Sequence, residues 1–123
     1  TTTPVTQSLK VYILAGQSNM AGCDDIRRLQ PLWSDTQNDV MMYWGNASSP
    51  TFRPLTSGTS GASCSASAPN AYFGPEISFA NGMRAHAPNE RIIIVKYAVG
   101  GTDLYAQWTP PTQEYPNGGP LWN

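Results

Sequence analysis

Charge is scarce in this chain of 123 residues: Asp, Glu, Lys and Arg together make up 12%, and the formal net charge is −1. Without a basic field, the chain has little to hold a nucleic acid or an anionic membrane surface. A neutral partner or substrate fits better. The low charge accompanies 40% apolar residues, the reverse of the balance that keeps a chain disordered. No apolar run approaches the roughly 20 residues that a membrane helix needs. Histidine occurs once, as His86, and cysteine twice, as Cys23 and Cys64, with no Cys-x-x-Cys spacing. No clustered set of four ligands exists, so no metal is expected. The chain shows no signal peptide and does not begin with Met; the expectation is that a leader has been removed or the ends trimmed.

What remains is enough for one domain with a real core. An even cysteine count in a chain rich in Ser, Thr, Gly and Pro, with few lysines, points to an oxidised pair, Cys23–Cys64, in a secreted protein. The alternative is two buried free thiols. Leu9 to Ala15 is the first strong element. Leu9, Val11, Ile13 and Ala15 point one way, Tyr12 and Leu14 the other, and both faces are largely apolar. That pattern predicts a strand buried on both sides, as in a parallel sheet covered by helices. Val40 to Trp44 is a second short strand, and residues 20–39 have room for a short helix. Residues 45–72 form a long stretch of small and polar residues that reads as a loop, and loops of that length are often functional.

A helix is predicted from Gly74-Pro75-Glu76, with Gly74 as cap, Pro75 in the first helical position and Glu76 complementing the helix dipole. Ile77, Ala80, Met83 and Ala87 recur at helical spacing, and Pro88 ends the run. Arg91 to Ala98 is again β-branched and apolar on both faces, and it leads into Gly100-Gly101. Strand, turn, helix, strand and glycine turn make an α/β pattern. Beyond residue 105 there is no secondary-structure signal. Three strands are few for such a sheet, whose edges and faces need cover.

The run Gly16-Gln17-Ser18-Asn19 follows the carboxyl end of the first strand, where open α/β sheets bind their ligands. Gly16 permits a tight turn from which Ser18 projects, with its own N–H facing the same space. A serine hydroxyl is a poor nucleophile without a base, and the oxyanion it forms needs donors. The Gly-x-Ser-x-Gly elbow does not fit, because Met20 stands where the second glycine belongs. Spacing alone is therefore a weak signal, and a bare turn explains it as well.

The segment VYILAGQSNMAG, residues 11–22, strongly resembles the first block of the sialate O-acetylesterase and carbohydrate esterase family six group, a branch of the SGNH hydrolases. FGPEISFANGM at 73–83, IIIVKYAVGGTDL at 92–104 and the trailing Trp108 agree with it in order and spacing. The resemblance spans roughly residues 9 to 122. It implies a flavodoxin-like three-layer α/β/α fold with a mainly parallel sheet, and removal of O-acetyl groups from carbohydrates such as acetylated xylan or sialic acid. It makes Ser18 the nucleophile, with the N–H of Ser18 and of Gly101 or Gly100 as oxyanion donors, Gly101 being favoured. Gln17, Asn19 and Glu76 are candidate supporting residues. Asn19 either orients the turn or caps the next helix; Glu76 either bonds near the turn or serves only as helix charge. Serine esterases need no cofactor.

The family pattern has two further blocks that this sequence lacks: a Trp-x-Gln-Gly-Glu-like segment and an Asp-x-x-His that supplies the base. Met83 stands three residues before the single histidine, His86, which reads as a helix-end residue. Asp103 does not match the family acid. Tyr72, Tyr105, Trp108 and Trp122 either wall a sugar site or pack in the core and rim. Loss of the base costs a serine triad orders of magnitude in rate. Residues 1–123 are therefore expected to be the N-terminal part of a single esterase domain, incomplete and inactive alone. A second polypeptide or a C-terminal half would carry the catalytic Asp and His. The alternative is a non-catalytic carbohydrate-binding or structural protein built on a truncated esterase fold.

Overall fold

The computed structural model describes residues 8–34, 36–58 and 71–122. Strand β1 (Leu9–Gly16) leads into a single helical turn, α1 (Ser18–Ala21). A two-residue strand β2 (Asp24–Asp25), a 3₁₀ turn over Ile26–Arg28 and a short helix α2 (Pro31–Ser34) follow. Then come β3 (Gln37–Trp44), β4 (Phe52–Leu55), β5 (Tyr72–Phe73), α3 (Glu76–His86) and β6 (Arg91–Ala98). The main sheet has the order β1-β6-β3-β4, and β2 pairs with β5 apart from it. β6 runs parallel to both β1 and β3, while β4 is antiparallel to β3. The fold is thus mixed α/β with a mainly parallel sheet. No helix among the described residues is long and apolar enough to cross a membrane.

The parallel register puts Tyr12, Ile94 and Met42 in one row and Val11, Ile93 and Met41 in the next. Side chains alternate along a strand, so the first row and the second lie on opposite faces. α3 covers the first face. Its Ile77 and Ala80 join Val40, Met42, Leu55, Ile92 and Ile94 in the buried core, with Met83 packed at its margin. The helix begins one residue later than the sequence suggests: Pro75 is its N-cap and Ala87 its C-cap. An offset of that size is ordinary for helix ends.

The opposite face departs from expectation. Leu9, Val11 and Ile13 are 53%, 55% and 74% exposed, so β1 is not buried on both sides. The physical reason is its place at the sheet edge, where a strand has a neighbour on one side only. Ile93, Val95 and Tyr97 of β6 are only half-buried on that same face. β4, too, lies within the segment that read as loop. It holds Pro54, which lacks a donor and is tolerated at sheet edges, and β4 is the other edge of the sheet.

Gly82 lies in the middle of α3, and a Cβ there meets nothing within 4 Å. Gly82→Ala is therefore expected to stabilise the protein by about 0.5–1 kcal/mol, the helix-interior cost of glycine. Urea unfolding checks this, with the midpoint rising and the slope unchanged.

Candidate active site

β1 and β6 are parallel neighbours, so their carboxyl ends lie side by side. The pairing runs as far as Gly16 opposite Ala98, and the Val99 N–H donates to the Gly16 carbonyl at 3.0 Å. The turn after each strand is thereby brought to the same edge. A Cβ on Gly100 would sit 3.9 Å from the Ser18 Cβ, whereas one on Gly101 would meet nothing within 4 Å. Gly101 has φ +72°, the left-handed region that favours glycine. Thr102 holds the turn's outer side: its hydroxyl donates to the Val99 carbonyl at 2.7 Å and accepts from the Trp108 indole N–H at 3.0 Å.

Ser18 is exposed at the start of α1. The Gln17 side-chain oxygen accepts from both the Ser18 N–H, at 2.9 Å, and the Ser18 hydroxyl, at 2.7 Å. Gln17 therefore caps α1 and holds the candidate nucleophile and the candidate oxyanion donor at once. An oxyanion that used the Ser18 N–H would have to displace it. Asn19 lies inside α1 rather than at its cap, and it lines a cleft of about 490 Å³ with Ser18, Cys23, Phe73, Pro75 and Ser78. Cys23 is exposed beside this cleft; Cys64 lies outside the described residues.

The cleft contacts the N-terminal end of α3, through Pro75 and Ser78. His86 is exposed at the helix's other end, about 15 Å along at 1.5 Å per residue. Among the described residues no group of three or more His, Cys, Asp or Glu converges as a metal site. Of the aromatic residues weighed as a sugar platform, Trp108 packs edge-on against Tyr97, and Tyr105 packs against Tyr115.

Beneath α1 lies a buried ion pair. Lys96 and Glu76 are both fully buried, with the ammonium 2.5 Å from the carboxylate. Glu76 also accepts from the Gly74 N–H at 3.0 Å, and Lys96 donates to the Ala21 carbonyl at 2.9 Å. Burial pushes the Lys96 ammonium below the ordinary lysine range, and the Glu76 charge and hydrogen bond oppose that shift. Glu76 is legible in the sequence as a helix-start acid, whereas Lys96 stands inside an apolar run. Its phase is the signal: Ile92, Ile94 and Ala98 face the core, and two-residue alternation turns Lys96 the same way.

The structure thus sets a serine, on a turn at the end of a parallel strand, beside a glycine turn on the neighbouring strand of an α/β fold. A family model described as carbohydrate esterase, sialic acid-specific acetylesterase matches residues 8–118, and the chain belongs to that family. No curated protein matches the chain significantly. A solved structure of a protein from Arabidopsis thaliana is similar at a TM-score of 0.58 and 18% identity, with 89% of this chain and 47% of that one covered. That likeness concerns the fold. The chain spans about half the length of that structure.

Proposed function

We propose that this chain is the nucleophile-bearing part of a serine esterase of the SGNH type that removes O-acetyl groups from carbohydrates. The observation that carries the reading is the juxtaposition of the Ser18 turn with the Gly100-Gly101 turn at the ends of two adjacent parallel strands, in a chain of this family. The Ser18 hydroxyl attacks the acetyl carbonyl and gives its proton to a base. The oxyanion is held by the Ser18 N–H and a glycine N–H of the facing turn, once Gln17 swings away. The sugar hydroxyl leaves, and water then releases acetate from the acetylated serine.

The base comes from outside this chain, since His86 stands at the far end of α3. A further stretch of polypeptide, continuous or separate, supplies the Asp and His. It also covers the open face of the sheet and so completes a three-layer fold. The exposed Leu9, Val11 and Ile13 support this, because parallel sheets are covered on both faces. Cover over these half-exposed side chains is worth roughly 1–2 kcal/mol each. A Cys23–Cys64 bridge fits a protein that works outside the cell. The family match gives no support to a purely structural role.

The test is acetate release from acetylated xylan and from O-acetylated sialic acid, measured on the full-length protein and on residues 1–123 alone. The full-length protein is expected to release acetate, and the isolated chain to be slower by at least about a thousandfold. No release by the full-length protein from either substrate would overturn the reading.

A further inference from the structure

α1 is one helical turn of four residues. A helix that short has no stability of its own, because nucleation costs more than one turn returns. Its shape is closed by Ala21 N–H to Gln17 carbonyl at 2.8 Å and Gly22 N–H to Ser18 carbonyl at 3.0 Å. Its position must come from what it is tied to, and one tie is the buried Lys96 ammonium, which donates to the Ala21 carbonyl. Lys96 is rooted in β6, flanked by the Trp44 ring 5.0 Å away, and held by Glu76 at the start of α3. Glu76 in turn fixes Gly74 through its N–H, and Gly74 lies against Gly22 with no room for a Cβ between them. One ion pair thus joins the sheet, α3 and the turn that carries Ser18.

We infer that Lys96 and Glu76 are positioning residues for Ser18, holding its turn at a fixed height against the Gly100-Gly101 turn. The inference rests on the esterase reading for its catalytic consequence and on geometry alone for the tie. A buried ion pair is a poor source of net stability, since apolar residues of similar volume often serve as well or better. Position is a different matter: reacting groups misplaced by about 1 Å lose roughly a hundredfold in rate.

The experiment compares the wild-type full-length protein with Glu76→Gln/Lys96→Met, which removes both charges together and leaves neither buried alone. Glu76→Gln by itself is the harsher second variant: it retains an acceptor for the Gly74 N–H but leaves the buried Lys96 ammonium without the Glu76 charge. Two quantities are read: amide hydrogen exchange at Ala21 and Gly22, and kcat with KM on an acetyl ester. In the double variant, exchange at those amides is expected to rise at least about tenfold while the β3 and β6 amides hold their protection. The expected fall in kcat is about ten- to a hundredfold with KM little changed, and Glu76→Gln should shift both quantities the same way by at least as much. Unchanged exchange at Ala21 and Gly22 would overturn the tie. Faster exchange with unchanged kcat would overturn its role in positioning Ser18. A wild-type protein without esterase activity would count against the proposed function instead, and the exchange rates would still decide for or against the tie.

Discussion

Ser18→Ala is expected to lower kcat for acetyl-ester hydrolysis in the full-length protein by about four to six orders of magnitude, the loss typical of a serine nucleophile. The fold should not suffer. Ser18 is exposed, and its hydroxyl bonds only to the neighbouring Gln17 side chain among the contacts described. Surface substitutions of this kind change stability by no more than about 0.5 kcal/mol. The N–H that Gln17 also engages is a backbone group, so it survives the substitution. Urea unfolding and initial rates on the same preparation would separate the two effects. Activity within tenfold of wild type would remove Ser18 from the reaction.

The largest stability effect is expected at Gly22, not in the apolar core. Gly22 has φ +83°, and a Cβ there would lie 2.0 Å from the Gly74 Cα and 2.6 Å from the Phe73 carbonyl oxygen. Both obstacles are backbone, which cannot rotate aside as a side chain can. The left-handed conformation costs a non-glycine residue about 1–2 kcal/mol, and the overlap adds at least the 1–3 kcal/mol usual for overpacking. Gly22→Ala should therefore destabilise the protein by about 2–5 kcal/mol, a large part of a domain's whole stability. Gly101→Ala is the control. It shares a positive φ, +72°, but a Cβ there meets open space, so only the conformational cost of about 1–2 kcal/mol applies. Equal losses at the two positions would mean that the α1–Gly74 contact is not as close as described.

Much of this arrangement is legible in the sequence, and what is not has physical causes. The strands at 9–16 and 91–98 announce themselves as short runs apolar on both faces, and the helix at 76–86 by apolar residues recurring at helical spacing. The turn glycines follow from where those elements stop. β4 is not legible: its four residues include a proline, and an edge strand needs only one neighbour and little apolar surface. The exposure of Leu9, Val11 and Ile13 could not be read either. An apolar face shows that a residue is suited to burial, but not whether the cover lies in the same stretch of chain. The Lys96–Glu76 pair fell between two patterns. A glutamate in the first turn of a helix has a sufficient explanation in the helix dipole. A lysine inside IIIVKYA becomes informative only when its phase is compared with that of the core residues around it. Gln17 illustrates a further limit. Its place beside Ser18 is plain in the sequence, but its bonds to both the Ser18 hydroxyl and N–H depend on a side-chain rotamer.

The most direct measurement is the site of covalent capture by a fluorophosphonate, which forms a stable adduct only with an activated serine. The full-length protein is treated with the probe, digested and mapped by mass spectrometry. An adduct on the peptide containing Ser18, lost in Ser18→Ala, is the expected result. An adduct on a different residue, or none in a protein that releases acetate, would contradict the assignment of Ser18 as the nucleophile.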